Sequence, residues 1–454
     1  MNAKATVLGA VVVILSSCAA ARAYPDNPFV IKLAIPSPSD SAGGIVVADV
    51  DNDNQMDYLV TVPGHIAAYA NDGRKLWVLK ADVVIGSSSE SHGLPGHHGP
   101  GVAAGDVDGD GKCDVVFLTK DSVLHIVNGK TAREQASAKP PYPHEAQGWE
   151  VAMVADLRGT GGDRDILLQT TNKQGYRMGK FLAAYSTEDL LKGGKPLWQT
   201  DKFVSCAHNG ASLADINADG CDEVLGATIF SAKGKLLSRA IPGRYHMDSV
   251  FVSDVRPDKP GLEVVLLEEG SNHVQLLGTA GPIWRTHFKR QEPQNAAVGR
   301  FAKASDEVFI WCRSRYNEHQ KPFVFNSSGK KVFDYSMDDV APGGWTTRGV
   351  EVIHTIDWTG ERQQLACAKE RHESGDVCLF EPLTGIFVKH IPEKADRLYV
   401  ADVTGDWREE MIVLNGSELH VYQNRDPNPR PGRERLWADR NYRRLKQCHN
   451  YYSP

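Results

Sequence analysis

Residues 101–118 read GVAAGDVDGDGKCDVVFL, and the organisation of this stretch decides the fold. A short apolar run reaches Asp106, an acidic turn with two glycines follows, and a second apolar run starts at Asp114. The phrase recurs as GGIVVADVDNDNQMD, VAMVADLRGTGGDRD, ASLADINADGCDE, SVFVSDVRPDKPGLE, NAAVGRFAKASDE, VIHTIDWTGERQQ and LYVADVTGDWREE. The anchors are Asp49, Asp106, Asp156, Asp215, Asp254, Arg300 (in place of aspartate), Asp357 and Asp402, spaced 39 to 59 residues apart. Repeats of that length mark a radial or solenoid all-β array.

The first repeat parses into four strands. GGIVVADV is followed by a turn at Asp51-Asn52-Asp53-Asn54, then MDYLVTV, Pro63-Gly64, HIAAYA, Asn71-Asp72-Gly73 and KLWVLK. Asn/Asp-Gly turns between alternating runs signal antiparallel hairpins. Such tight connections leave no room for crossover helices. The fold class is therefore all-β: a β-propeller of four-stranded antiparallel blades, eight by repeat count. Seven is the alternative, because the sixth repeat lacks its aspartate. The ring is expected to close by pairing a segment such as Phe29–Ala34 with the last blade. The only helical candidate is Thr187–Leu191.

Residues 1–23 read as a targeting segment. Lys4 supplies charge, Val7–Leu15 an apolar core and Ala21-Arg22-Ala23 a cleavage site, which makes 24–454 one propeller domain. This predicts a secreted or periplasmic protein. Leu15-Ser16-Ser17-Cys18 also fits a lipoprotein box, with a lipid anchor at Cys18. No later run is long and apolar enough to span a bilayer. Removing the leader, with Lys4 and Arg22, moves the formal charge from −6 to −8, which argues against nucleic acid as partner. A monomer is expected. Seven cysteines follow the leader, and a hairpin disulfide between Cys367 and Cys378 is one option.

In the second repeat Asp106, Asp108, Asp110 and Asp114 place oxygens at alternate positions, as a hard cation such as Ca²⁺ requires. Asp49, Asp51, Asp53 and Asp57 repeat this in the first, and Asp215, Asn217, Asp219 and Asp222 in the fourth. Turn capping by side-chain hydrogen bonds is the competing reading. The third, fifth, sixth and seventh repeats have lost ligands.

The acidic turn follows the innermost strand, so residues just before that strand lie on the opposite face, near the axis. At that register stand His97 and His98, Trp149 (with His144 and Gln147), His208 and Asn209, and Arg244, Tyr245 and His246 (with Asp248). Trp345 and Arg348 follow in the seventh repeat, with Asn295 and Arg397 slightly later in theirs. Three histidines at one register of different repeats point to a functional centre. His208 and His246 would bind substrate or hold an additional cation at the axis. His65 faces the same side further out, whereas His125 and His354 fall inside strands and read as structural.

The repeats resemble FG-GAP-type calcium-binding propeller repeats over most of residues 40–425. GLPGHHGPGVAAGDVDGDG and the C-terminal NYRRLKQCHNYYSP resemble exported propeller polysaccharide lyases: rhamnogalacturonan, ulvan and rhamnose–glucuronate lyases, with related rhamnose-removing glycoside hydrolases. The resemblance implies an acidic glycan containing rhamnose and uronic acid, cleaved by β-elimination. It implies His98 as general base or acid, with His97 as the near alternative, and Tyr245 as its partner. Arg348 or Arg244 would neutralise the uronate carboxylate, assisted by Asn209 or Asn295, while Trp149 and Trp345 stack on sugar faces. A hydrolase on the same linkage is the first alternative. The ring offers few carboxylates for it (Asp40, Asp248, Asp396), and His65 would be its candidate. A non-catalytic adhesion or scaffold propeller using a calcium rim is the second.

Overall fold

The computed structural model describes residues 23–37, 44–85, 101–171, 178–204, 210–243, 247–314, 321–345, 350–370 and 374–448. It contains eight sheets of four antiparallel strands each, arranged as an eight-bladed propeller. Blade 1 holds β2 (Gly44–Ala48), β3 (Asp57–Val62), β4 (His65–Tyr69) and β5 (Lys75–Lys80). Blades 2 to 7 follow in chain order. Their innermost strands are β6 (Val102–Gly105), β10 (Trp149–Ala155), β14 (Ser212–Ala214), β18 (Met247–Ser253), β22 (Pro293–Gly299) and β26 (Val350–Ile356). Blade 8 has β30 (Arg397–Ala401), β31 (Glu410–Asn415) and β32 (Glu418–Tyr422), and its outer strand comes from the other end of the chain. β1 (Phe29–Lys32) pairs antiparallel with β32, from Phe29↔Val421 to Lys32↔Glu418. This closes the ring as the sequence led us to expect. The sixth repeat forms a complete blade despite Arg300, which removes the seven-blade alternative.

The core lies between blades. Eight clusters of buried side chains fill the eight interfaces, such as Ile45, Tyr58, Ile412 and Val421 between blades 8 and 1. Each buried aliphatic group contributes about 1.5–3 kcal/mol. Outer-strand tryptophans add directional links: Trp198 Nε1 donates to Ala232 O at 2.7 Å and Trp284 Nε1 to Ser327 O at 3.0 Å. These indoles lie on Gly234 (φ +73°) and Gly329 (φ +80°), where a Cβ would collide with the ring.

The turn-capping alternative holds at one recurrent position of the acidic turns. The acid that opens the second strand of a blade accepts backbone N–H groups from the turn before it, and in blade 1 also from the turn after the third strand. Asp57 accepts from Val50, Asp51 and Asn71, Asp165 from Leu157, Glu223 from Ile216, Glu263 from Arg256 and Glu410 from Val403 and Thr404. Asp57 is fully buried in these bonds and stands outside the acidic cluster of Asp49, Asp51 and Asp53, so its expected metal-ligand role is corrected to that of a turn clamp.

Helix α1 (Thr187–Leu191) is where the sequence placed it, capped by Ser186 Oγ. Among the described residues two further helices were not read: α2 (Met337–Val340) and α3 (Arg440–Lys446). Cys367 and Cys378 are free thiols. They lie on paired strands, but Cys367 opposes Leu379 and Cys378 opposes Ala368. That one-residue offset sends them to opposite faces, into different inter-blade clusters.

Candidate active site at the axial mouth

All eight innermost strands begin on one face of the disc and end at the acidic turns on the other. Antiparallel pairing returns the end of each second strand to the starting face, as in Met247↔Glu268, Pro293↔Ser314 and Val350↔Glu370. That face carries the axial mouth. Of the expected site residues, His97, His98, His208, Asn209, Arg244, Tyr245, His246 and Arg348 lie outside the described residues, as does Asp40.

Four of the innermost strands carry a register shift at their leading ends: between Trp149 and Val151, Met247 and Ser249, Pro293 and Ala296, and Val350 and Val352. The inserted positions hold Glu150, Asp248, Gln294-Asn295 and Glu351. Bulges re-aim side chains and concentrate beside active sites. Glu150, Asp248 and Asn295 are fully buried. The paired second strands end in further buried polar groups: Gln169, Glu268, Arg313, Lys369 and Glu370. Arg397 completes the ring in blade 8, and burial lowers its pKa to about 10. Glu150, Asp248, Glu268, Arg313, Lys369, Glu370 and Arg397 are all partnered. Burying charge costs several kcal/mol per group unless it is paired. A band this rich in charge, above inter-blade cores that are apolar, is built for something other than packing.

This band also holds the ends of the site loops. Gln169 Oε1 accepts from Ala211 N at 2.7 Å, just after His208-Asn209 in the chain. The Glu268 carboxylate lies against Gly243, the residue before Arg244, and leaves no room there for a Cβ. Glu268 is fixed in turn by His273 Nδ1 at 3.0 Å. Arg313 Nη1 donates to Gln294 Oε1 at 2.5 Å, and Lys369 Nζ to Ala395 O at 2.5 Å. Apart from Asp248 and Arg397, these charges were not singled out from sequence. Their signal was a polar residue ending the apolar run of each second strand, as in ILLQ, VVLLE and LACAKE.

Two stacking roles are corrected. Trp149 is 2% exposed, donates its Nε1 to Pro140 O at 2.9 Å and packs among the side chains between blades 2 and 3. It presents no face to a sugar. Trp345 packs edge-on to Phe387 and His390 of β29 (Phe387–Ile391), the outermost strand of blade 7, away from the axis. Trp149→Ala is expected to cost about 3–5 kcal/mol in urea unfolding while leaving KM unchanged. Asn295 is buried on β22 near the mouth, and its Oδ1 accepts from Ala296 N. His65 starts β4, half-exposed on the mouth side. His144 is exposed. His125 stacks on Phe117 and meets Glu134 at 3.1 Å. His354 meets Leu398 O at 3.2 Å, and burial pushes its pKa down to about 3, so it stays neutral. Asp396 accepts from Gly416 N at 2.8 Å.

The axis below the mouth is filled by the chain's own C-terminal segment. Asp439 caps α3 by accepting from Asn441 and Tyr442 N–H groups. Arg444 pairs with Asp222 at 2.8 Å and Asp163 at 2.5 Å, and Arg440 with Asp222 at 2.7 Å. This corrects Asp222 from a ligand to an ion-pair partner. Gln447 bonds Ala104 of blade 2, Tyr399 donates its hydroxyl to Lys446 O, and the Lys446 ammonium bonds Val400 O. About 210 Å³ of space remains between α3 and strands of blades 4 to 8. Lys446 brings positive charge to this depth, while His208 and His246, the residues expected to hold an additional axial cation, lie outside the described residues.

On the opposite face, two acidic groups among the described residues keep the geometry of a cation site: Asp49, Asp51 and Asp53, and Asp106, Asp108 and Asp114, each set with oxygens within 4.8 Å of one another. Asp49 and Asp106 each also accept two turn N–H groups, so capping and cation binding share these carboxylates. Oδ1 of Asp51 and Oδ1 of Asp114 are buried and have no hydrogen-bond partner among the described residues. Asp110 is corrected: its carboxylate turns outward to Lys112 at 3.1 Å. Burial raises the pKa of Asp49 and Asp114 to about 6, and that of Asp57, Glu223 and Asp402 to about 7. Each folded value exceeds its unfolded one, so these groups cost stability progressively as pH rises from the unfolded to the folded pKa. Chelated protein is expected to melt lower at about pH 7.5 than at about pH 5, and added Ca²⁺ to raise the melting temperature chiefly at the higher pH. A melting temperature indifferent to both variables would contradict this assignment.

Comparison with known proteins agrees with this architecture. The family model for rhamnogalacturonan lyase family 11, C-terminal domain, matches residues 173–451, and an FG-GAP-like repeat matches residues 49–117. The chain belongs to rhamnogalacturonan lyase family 11. As a member it is an enzyme, a polysaccharide lyase, which sets aside the non-catalytic scaffold. This family-11 lyase is 24% identical to rhamnogalacturonan exolyase YesX of Bacillus subtilis, over 88% of this chain and 76% of that protein. It is 26% identical to rhamnogalacturonan endolyase YesW of the same organism, over 85% and 68%. Among solved structures, the V. cholerae biofilm matrix protein Bap1 shares the fold, at TM-score 0.56 and 13% identity, covering 94% of this chain and 96% of that one.

Proposed function

We propose that this lyase cleaves a rhamnose–uronic acid linkage in a pectin-type glycan by β-elimination at the axial mouth. The observation that carries this reading is the bulged, charge-bearing ring at the leading ends of the innermost strands. Elimination needs a cation against the C6 carboxylate, so that the C5 proton becomes acidic. It needs a base for that proton and an acid for the departing O4. Electrons from the C5–H bond form the C4–C5 double bond as the C4–O4 bond breaks. His98 and Tyr245 are the proposed proton-transfer pair, with His97 as the near alternative to His98. Arg348 or Arg244 neutralises the carboxylate, with His208, Asn209 and His246 binding the sugars; Asn295, fully buried, presents no group to them. Lys369, Arg313 and Arg397 are set among the carboxylates of Glu150, Asp248, Glu268 and Glu370, so the neutralising cation is assigned to a loop arginine rather than to this band.

The two acidic turn groups would hold Ca²⁺ and stiffen the far rim, since their buried orphan oxygens suit a hard cation. Export as a secreted or periplasmic monomer, through the leader at residues 1–23 or a lipid anchor at Cys18, belongs to the same proposal. Rhamnogalacturonan, ulvan and gum arabic, each incubated with the protein while ultraviolet absorbance and reducing ends are followed, test the substrate. Absorbance is expected from rhamnogalacturonan. Reducing ends without absorbance would favour hydrolysis, and a response to ulvan alone would overturn the pectin-type assignment.

A further inference from the structure

We propose a second saccharide site on the acidic-turn face: a cavity between the turns of blades 5 to 7 and the C-terminal strap that takes a carboxylated sugar. Its volume is about 460 Å³, within the range of small-molecule pockets. Arg300, Arg362, Arg430 and Arg433 line it with Asp254 and Asp306. Four guanidinium groups against two carboxylates leave a local excess of two positive charges, on a chain whose formal charge is −6.

The arginines are not equally committed. Arg430 gives its Nε to Gly360 O at 2.9 Å and its Nη2 to Glu361 O at 2.5 Å, and Arg362 pairs with Asp306 at 3.2 Å. Arg433 lies 4.3 Å from the Trp407 ring centroid, which orients its guanidinium. The side chains of Arg300 and Arg433 make no hydrogen bond or ion pair among the described residues. Arg300 occupies the position where the other seven repeats carry aspartate. The substitution that weakened the sixth repeat as a sequence signal therefore places a guanidinium in this cavity. Two arginine forks suit a carboxylate. Asp254 and Ser253 can accept hydroxyl hydrogens, and Val298, Val308 and Pro257 offer apolar surface to sugar C–H groups. Carboxylate, hydroxyls and an apolar face together describe a uronic acid better than an inorganic anion, which would leave the hydroxyl acceptors and the apolar surface unused.

The site lies on the face away from the mouth, so it would tether polymer without taking part in cleavage. The inference rests on the reading that the natural polymer carries uronates. Calorimetric titration of the full chain with digalacturonic acid tests it, comparing wild type with Arg300→Gln and with Arg300→Gln/Arg433→Gln. Binding is expected to weaken about tenfold or more in the double variant. The rate of unsaturated product from a short oligosaccharide should stay unchanged, and the rate on dilute long polymer should fall through lost avidity. Equal affinity for sulfate would overturn the saccharide assignment, and equal affinity for neutral galactobiose would overturn the role of charge. Unchanged binding in both variants would overturn the site. If no polymer yields unsaturated product but arginine-dependent binding persists, the function proposed for the mouth fails and this site stands.

Discussion

The His98→Ala variant is expected to form unsaturated product on the order of a thousandfold more slowly than wild type, because proton transfer at the reacting carbon loses its positioned partner. His98 stands four residues before β6, whose leading end faces the mouth. The variant should keep its melting temperature, since the inter-blade cores are untouched. KM should change far less than kcat, because imidazole is assigned to chemistry and substrate binding to other residues. Full activity in the variant would remove His98 from the mechanism. His97→Ala as companion separates the neighbours: if it alone abolishes turnover, the role moves one residue.

The second large effect concerns the axial plug. Asp222 is fully buried and accepts from Arg440, Arg444 and the backbone N–H of Asp156. Arg444→Met removes one charged partner from Asp222 and also deprives Asp163 of its 2.5 Å pair. Leaving a buried charge under-compensated costs about 3–5 kcal/mol. Urea unfolding of the variant should show that loss. Arg444→Met combined with Asp222→Asn should recover part of it, because asparagine carries no charge to strand. Losses that simply add in the double variant would mean the pair does not act as a unit.

The blade architecture was legible because each blade states itself locally. Asn71-Asp72-Gly73 and the acidic turns punctuate alternating runs, and eight copies reinforce one another. Closure by a segment such as Phe29–Ala34 was expected, and the strand that pairs is Phe29–Lys32. What escaped detection depends on long-range contacts. α3, reading RNYRRLK, has no amphipathic stripe of its own; ion pairs to Asp163 and Asp222 hold it in the channel. The buried charges Glu268, Arg313 and Lys369 looked like ordinary strand ends, since nothing local reveals that neighbouring blades enclose them. Trp149 was placed at the correct end of its strand but on the wrong side. The register shift between Trp149 and Val151 decides which residue turns to the mouth, and side chains alternate with every residue. Asp57 and Asp110 were read as ligands from spacing, whereas backbone N–H groups and Lys112 claim them.

The most direct test is a crystal structure of His98→Ala soaked with a rhamnose–galacturonate oligosaccharide. The expected density is a uronate seated over the axis, its carboxylate within hydrogen-bond reach of an arginine from a mouth loop and its C5 facing residue 98. A mouth that stays empty while the same crystals hold sugar elsewhere would show that elimination does not happen there.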